Sequence, residues 1–384
     1  YNAVTYTVTE VGNRAFIRNT KITEIVLPEG IVKIGSDCFE GMTNLTAVNI
    51  PSTVTSFDRF GVSNGIVDND NNYTDGLLYI DQCLIKAKST LSGKVTIKEG
   101  TRLIAGEAMR SCKEITEVSI PESVLSIGPS VFTSCSKLSD VNLPSTLRTI
   151  SQYMFQDCSS LGGVKPFAIP QSVTEIEIGA FGWGGTGCTS LYLMRIPDNV
   201  RRIGLFAFWS SAIKQLWLPA GIEEIKDGAF SSLAYLQEIH CAAPDPAAIT
   251  LGITVFDQAP EGVKLFVPYG SKQLYEAAPQ WSAFTVIEEN PCIDGFYYIL
   301  DSETHTATLT YEMYAEDGLF DYTNYSKLNT QEWVIPAQVA FENEVYAVTA
   351  IGDYAFAHTA VKRIILPEGV KSIGLSAFDG SGQL

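Results

Sequence analysis

Histidine is almost missing from this sequence: there are 3 among 384 residues, and they lie far apart along the chain. The 8 cysteines include no Cys-x-x-Cys pair. A zinc site of familiar ligand spacing is therefore excluded, and we expect no cofactor. No apolar run approaches the ~18 residues that a membrane-spanning helix needs, so we expect no direct membrane insertion.

Basic residues are also scarce. The chain has 26 lysines and arginines against 43 acidic residues, which gives a net charge of −17. The excess of acid is densest in residues 291–384, which carry 13 acidic and 4 basic side chains. Proteins that bind nucleic acid or anionic lipid present basic surfaces, so this balance argues against both partners.

The sequence does contain a repeat of about 23 residues, Leu-x-x-Val-x-Ile-Pro-x-x-Val-x-x-Ile-Gly-x-x-Ala-Phe. Its aromatic end recurs ten times, at Phe16, Phe39, Met109, Phe132, Phe155, Phe181, Phe208, Phe230, Phe356 and Phe378. The steps to Phe181 and Phe208 are longer and predict small loop insertions. A period of this length predicts a solenoid, in which each unit buries its apolar face against its neighbours.

The recurring residues of the repeat have physical roles. Val141 and Leu143 are two residues apart, so they point into the core of a short strand that Pro144 ends. The glycine of Ile-Gly, as in Gly128, supplies either a positive φ angle or a close backbone approach. The phenylalanine fills the wide side of each coil, and successive rings are predicted to stack into a continuous spine.

These repeats resemble the BspA-like leucine-rich-repeat family of secreted or surface-displayed bacterial proteins. The resemblance covers nearly the whole chain. It implies a right-handed coil with a parallel β-sheet on one face, and a non-catalytic role in binding or adhesion. It also implies a cell-surface or secreted location. The chain contains no signal segment and ends in mid-repeat, so we expect it to be a piece of a longer polypeptide.

Breaks in the repeat predict the domain organisation. Residues 1–290 form the solenoid, with a hairpin insertion at 57–93 whose turn is Asp75-Gly76, and a C-terminal cap at 241–290. Residues 291–346 alternate as strands of a small β module. Residues 347–384 begin a second array.

Three patterns suggest chemistry, and each has a simpler explanation. Gly-x-Ser-x-Gly around Ser63 matches a hydrolase nucleophile, but an Asn/Asp loop follows it instead of a helix. Asp68, Asp70 and Asn72 have calcium-loop spacing, although turn-forming side chains explain the segment as well. Cysteines that follow the aromatic position by three are predicted to form a buried thiol ladder rather than a redox or metal cluster. They are Cys112, Cys135 and Cys158.

The candidate partner-binding site is a set of outward-facing residues on neighbouring strands near the end of the first array. It comprises Leu193, Arg195, Gln215, Trp217, Glu238 and His240. An exposed tryptophan beside an arginine is typical of protein–protein hot spots, and a tryptophan with polar neighbours also suits a glycan. The alternative is that Trp217 is shielded or is an ordinary strand position. We therefore expect a host or neighbouring-cell protein as partner; a carbohydrate-binding module or a structural spacer are the alternatives.

Overall fold

The computed structural model describes most of the chain. The described residues are 7–61, 63–185, 187–268, 270–294, 296–310, 332–353, 355–356, 362–375 and 377–378. Residues 311–331 of the predicted β module, and 379–384 of the predicted second array, lie outside them. The chain is a β-solenoid, as the repeat predicts, and most coils contain two very short strands joined by turns.

The first strand of most coils lies just before the repeat's proline, and we call these strands the proline face. They are Glu24–Ile25, Ala47–Val48, Ser92–Thr96, Glu114–Ser119, Asp140–Asn142, Leu193–Arg195, Gln215–Leu218, Glu238–Cys241, Lys264–Pro268 and Val286–Asn290. Neighbours pair in parallel one repeat apart, as Glu117 does with Asp140. The middle residues, such as Val118 and Val141, are buried. The predicted alternation is therefore confirmed.

The second strand of each coil precedes the Ile-Gly glycine and forms the glycine face. Its strands are Glu10–Val11, Lys33–Ile34, Ser56–Phe57, Leu103–Ile104, Ser126–Ile127, Thr149–Ile150, Glu175–Ile176, Arg202–Ile203, Glu224–Ile225 and Thr250–Leu251. The glycine serves close approach and not positive φ. A Cβ on Gly128 would lie 2.4 Å from the Gly106 nitrogen, and Gly128 is not among the residues with positive φ.

The third side, which we call the turn face, contains no strand among the described residues. Positive φ angles recur there two residues before and two after the aromatic position, mostly at residues other than glycine. Examples are Ser130 (58°) and Ser134 (61°) around Phe132. This alternation points the amide of each aromatic residue at the next coil. Phe132 donates to Met154 (3.0 Å) and Phe155 donates to Ala180 (2.7 Å).

The predicted aromatic spine is confirmed as two runs of stacked rings, one through Phe16 and Phe39 and one from Phe132 to Phe230, with Met109 between them. Phe155 and Phe181 stack at 5.3 Å, Phe181 and Phe208 at 4.8 Å, and Phe208 and Phe230 at 5.2 Å. The spine has a member that the repeat pattern missed: Phe256 stacks on Phe230 at 5.7 Å. Its coil reads Leu-Gly-x-x-Val-Phe, with valine in place of alanine. The segment predicted as cap thus begins with one more coil.

The insertion at 57–93 contains an antiparallel hairpin. Its strands are Tyr73–Thr74, Leu77–Ile80 and Cys83–Ala87, preceded by a 3₁₀ turn at Asp70–Asn72. The predicted turn is confirmed: Asp75 (φ 50°) and Gly76 (φ 77°) link the first two strands in the positive-φ geometry of a two-residue hairpin. Cys83 belongs to the core cluster of the first coils, and its neighbour Leu84 to that of the later coils. The hairpin therefore joins the two stacks.

The first array ends in a small lid. The helical segments are Pro246–Ala248, Lys272–Ala277 and Trp281–Ala283, of which the second is α-helical. They bury Tyr275 and Trp281 over the last coils. The Gln280 side chain makes the hydrogen bonds that a following coil would otherwise make. Its amide oxygen accepts from the Val255 nitrogen (3.0 Å), and its amide nitrogen donates to the Gly252 carbonyl (2.5 Å). A solenoid needs such a cap to keep its last apolar surface from water.

The C-terminal region has its own core. Five strands form one mixed β-sheet, with both antiparallel and parallel pairs. They are Cys292–Ile293, Phe296–Asp301, Thr306–Thr310, Gln338–Phe341 and Glu344–Ile351. Ser372–Ile373 pairs with the last of these. Glu332–Val334 pairs in parallel with Arg363–Ile365, which is an array strand, so this ladder starts earlier in the chain than the predicted boundary at 347. Within the described part of the chain, no helix is long and apolar enough to cross a membrane.

Candidate functional site

The six predicted site residues lie together on the proline face. Leu193 pairs with Gln215, and Gln215 with Glu238, so these three residues form one column across adjacent strands. A second column contains Arg195, Trp217 and His240, and Phe266 follows them on the next strand. These pairs also lie in register. The predicted neighbourhood is therefore correct.

Trp217 is not exposed, so the shielded alternative that the sequence left open is the correct one. Its side chain and that of His240 are buried, with 6% and 3% of their surface exposed. The reason is stacking along the column. The Arg195 guanidinium lies 5.0 Å from the centre of the Trp217 ring, and the His240 ring lies 4.8 Å away on the next strand, at 6°. Phe266 continues the stack at 4.6 Å from His240.

Glu238 links the two columns. Its carboxylate accepts a hydrogen bond from the Gln215 amide (2.9 Å) and contacts Nε2 of His240 (3.4 Å). Burial lowers the pKa of His240, so the imidazole is neutral at pH 7. Burial alone would raise the pKa of Glu238, but the hydrogen bonds from His240 and Gln215 outweigh it and lower that pKa. Glu238 is therefore an ionised acceptor at the border of the stack.

An exposed pair lies beside the first column. Tyr192 is 47% exposed, and the Lys214 ammonium lies 5.0 Å from the centre of its ring. Leu193, Gln215 and Glu238 are each half-buried next to this pair. Tyrosine combines apolar area with a polar tip, which is why it is frequent in interface cores. At the predicted site, the solvent-accessible surface is therefore centred on Tyr192 and not on Trp217.

Two asparagines at outward-facing positions on or next to other strands of the proline face have a structural role. The Asn142 side chain accepts from the Ile120 nitrogen (2.8 Å) and donates to the Ile120 carbonyl (2.9 Å). Asn49 makes the same two bonds with Leu27, at 2.7 and 2.8 Å. Each amide thereby replaces a strand hydrogen bond between coils. These two asparagines are structural clamps on an outward face.

The two loop motifs have local structural roles. Ser63 is exposed and donates to Asp68 at 3.3 Å, in the loop that the sequence predicts. In the calcium-like segment, Asp70 pairs with Lys88 at 2.8 Å and Asn72 donates to the Ile66 carbonyl at 2.9 Å. The described residues include no group of three or more His, Cys, Asp or Glu side chains able to hold a metal ion. Turn formation therefore accounts for the spacing.

The thiol ladder is confirmed. Cys112, Cys135 and Cys158 are buried, and each donates its S–H to a backbone carbonyl of the preceding coil. Cys188 extends the ladder by donating to Phe155 at 3.2 Å. Burial raises the pKa of Cys135 to about 12 and that of Cys158 well above its ordinary value. Since the thiolate is the nucleophile, these cysteines are inert filler in the folded protein.

We therefore expect Cys135 and Cys158 to resist alkylation in the native protein at pH 8.5, where an exposed thiol is about half ionised. Iodoacetamide followed by peptide mass spectrometry measures this residue by residue. The same peptides should be modified fully in guanidinium, which is the control for reagent access. Native labelling of Cys135 at the rate of a free thiol would contradict the ladder.

A second surface was missed from sequence. Tyr153 and Trp183 line a groove of about 520 Å³ on the turn face. Trp183 lies two residues after Phe181, just before the insertion that precedes Phe208. The sequence signal for it was the segment from Gly182 to Gly187, which holds one tryptophan among four glycines. Functional sites are expected where a sequence departs from an otherwise regular repeat.

Comparisons with known proteins point to one family of repeat proteins. The model of the BspA type leucine rich repeat region matches residues 9–84, 69–182, 162–259 and 337–384, in 6 copies. A leucine-rich repeat protein from Bacteroides ovatus is 22% identical, with a TM-score of 0.43 over 100% of this chain and 83% of that one. The leucine rich repeat protein of T. pallidum is 26% identical, with a TM-score of 0.39 over 47% of this chain and 80% of that one.

A leucine rich cell surface protein from Faecalibacterium prausnitzii is 20% identical, with a TM-score of 0.26 over 100% of this chain and 83% of that one. No curated protein matches the chain. The family model, in contrast, covers well over half of its length. The chain therefore belongs to the BspA-type leucine-rich-repeat family.

Proposed function

We propose that the protein is a non-catalytic cell-surface or secreted interaction protein that presents a rigid repeat face to a protein partner on a host or neighbouring cell. One observation carries the proposal: the exposed Tyr192–Lys214 pair, bordered by half-buried Leu193, Gln215 and Glu238. Tyrosine with partly buried apolar and polar neighbours is the composition of an interface core.

The scaffold beneath this patch favours binding because it fixes the side chains in advance. Trp217 and His240 stack in the adjacent column, and His240 and Gln215 hold the Glu238 carboxylate. Side chains that are ordered before association lose less conformational entropy on binding. In this proposal the buried members of the predicted site act as supports, and the contact belongs to Tyr192, Lys214 and their exposed neighbours.

The test is a binding screen against purified extracellular-matrix and host-surface proteins, read by biolayer interferometry. We expect saturable binding to a protein that weakens about thirtyfold in Tyr192→Ser/Lys214→Ser, the effect of losing a hot spot of about 2 kcal/mol. Tyr235→Ser is the matched control, because Tyr235 is 61% exposed but is not part of the patch.

Equal binding by both variants would remove the patch from the proposal. Binding to no protein on the panel would favour the alternative of a structural spacer. Binding to glycans alone would favour the alternative of a carbohydrate-binding module.

A further inference from the structure

We propose that the groove on the turn face is a binding site for a neutral oligosaccharide. This inference concerns a different surface from the Tyr192–Lys214 patch and does not rest on it. The groove has a volume of about 520 Å³, within the range of small-molecule sites. Residues from several coils line it, among them Arg110, Thr133, Gln152, Tyr153, Gln156 and Trp183.

The aromatic residues of the groove are exceptional within the repeat. The positions two before and two after the spine aromatic are polar or glycine in most coils, as at Ser130 and Ser134. Three of them are aromatic in adjacent coils instead: Tyr153 and Trp183, which line the groove, and Phe206, which packs against Trp183. The Trp183 ring lies 5.9 Å from that of Tyr153 and 4.8 Å from that of Phe206. All three side chains are half-buried, so they form a firm aromatic strip with part of its surface in solvent.

Glycines hold this strip in place. A Cβ on Gly179 would lie 2.4 Å from two carbons of the Tyr153 ring, so the ring rests directly on that glycine. A Cβ on Gly182 would lie 2.4 Å from the Trp209 nitrogen, and hence the inserted loop packs against the next coil. The Gln156 amide also donates to the Trp183 carbonyl at 2.6 Å. The tryptophan is therefore fixed before any ligand arrives, which reduces the entropic cost of binding.

The charges of the groove favour a neutral ligand. Its four charged lining residues are two acids and two bases, Asp58, Arg59, Glu107 and Arg110. Glu107 pairs with Arg59 at 3.0 Å and with Arg110 at 2.7 Å. Asp37 pairs with Arg59 from beside the groove. Because these charges compensate one another, the groove has little attraction for an acidic glycan or a nucleic acid.

The remaining chemistry fits a sugar. The C–H face of a pyranose is apolar and packs against an aromatic ring, while its hydroxyls need donors and acceptors at the edge of the ring. Gln152, Gln156, Ser130 and Thr133 place amide and hydroxyl groups along the same groove. A few oriented polar groups beside apolar surface are what gives such sites their specificity. Trp183 and Tyr153 would thus provide the platform, and Gln152 the hydrogen bonds, while Gln156 holds Trp183 in place.

The experiment is a panel of neutral oligosaccharides, with sialylated and uronate-containing ones beside them, titrated against the whole chain by isothermal calorimetry. We expect saturable binding of at least one neutral member that weakens at least tenfold, about 1.4 kcal/mol, in Trp183→Ala. Gln152→Ala should weaken it as well, and it provides a second variant if Trp183→Ala does not fold. Tyr235→Ser, an exposed aromatic outside the groove, should bind as the parent does.

The salt dependence separates ligand classes, since binding of a neutral sugar should not change between low and high ionic strength. Binding only to acidic glycans, unchanged binding in both groove variants, or no binding to any neutral member would overturn the proposal. Protein binding at the Tyr192–Lys214 patch is expected to be the same in Trp183→Ala as in the parent. The two proposals therefore succeed or fail separately.

Discussion

Replacing Phe181 with alanine is expected to lower the free energy of unfolding by about 3–5 kcal/mol, the range for removing a fully buried phenylalanine. Phe181 lies in the middle of the spine, with Phe208 at 4.8 Å and Phe155 at 5.3 Å. Phe167 contacts it edge-on at 5.6 Å. Alanine would leave a cavity that the coils above and below cannot close, because each is fixed by backbone hydrogen bonds to its neighbours.

The matched control is Phe16→Ala. Phe16 occupies the same repeat position in the first described coil, is half-buried, and stacks on Phe39 at 6.0 Å as its one ring neighbour among the described residues. We expect it to cost well under half as much, since less surface leaves water there on folding. Urea denaturation followed by circular dichroism measures both. Equal losses at the two positions would contradict the view that stability comes from stacking of each coil on two neighbours.

Phe181→Leu tests which property of the spine matters. It retains most of the apolar volume and removes the ring–ring contacts. If filling the coil is decisive, the loss should stay below about 1.5 kcal/mol, as for other near-isosteric changes in a core. If the stacking geometry contributes separately, an additional 0.5–1.5 kcal/mol or so is expected for each aromatic pair.

The repeating part of the fold was predictable because each repeat gives the same information again. The alternation of Val141 and Leu143, the proline that ends the strand and the recurring phenylalanine each have one physical explanation, and ten copies remove the ambiguity of any single copy. The buried thiols followed from the same logic, since Cys135 and Cys158 lie one period apart.

The positive φ angles were not predictable from composition. The sequence offers the Ile-Gly glycine as one candidate for them, because glycine adopts such angles at least cost, with close backbone approach as the alternative role of that glycine. The structure places them two residues later, at residues as different as Glu107, Tyr153 and Phe206. No single residue type marks these positions, because the hydrogen bonds between coils impose the backbone geometry. The cost of a left-handed residue, of order 1–2 kcal/mol, is offset by the two cross-coil bonds that it aligns.

The candidate site was predicted in its place but not in its exposure. Alternation along a strand tells which side of the sheet a residue faces, so Trp217 and His240 were correctly placed in one column. The alternation does not tell whether residues in the same column shield one another from solvent. A guanidinium on one side and an imidazole on the other are enough to bury an indole, and those contacts depend on rotamers that the pattern does not contain.

Replacing Gly204 with alanine is the second substitution for which we expect a large effect. An added Cβ would lie 2.6 Å from both the Glu177 carbonyl carbon and the Ile178 nitrogen of the preceding coil. Both atoms belong to backbone, so a rotamer change cannot relieve the overlap and the coils must move apart. We expect a loss near the upper end of the about 1–3 kcal/mol typical of overpacked cores.

The repeat provides an unusually close control for this prediction, because Gly12 occupies the same position in the first described coil. No atom of the described residues lies within 4 Å of a Cβ added there. Gly12→Ala should therefore be neutral, or stabilise the protein by about 0.4–1 kcal/mol, since alanine restricts the unfolded chain. Thermal unfolding of both variants distinguishes two explanations for the repeated glycine. If alanine is tolerated at 204 as at 12, the glycine serves flexibility; if only 204 is sensitive, it is required because successive coils approach too closely for any side chain.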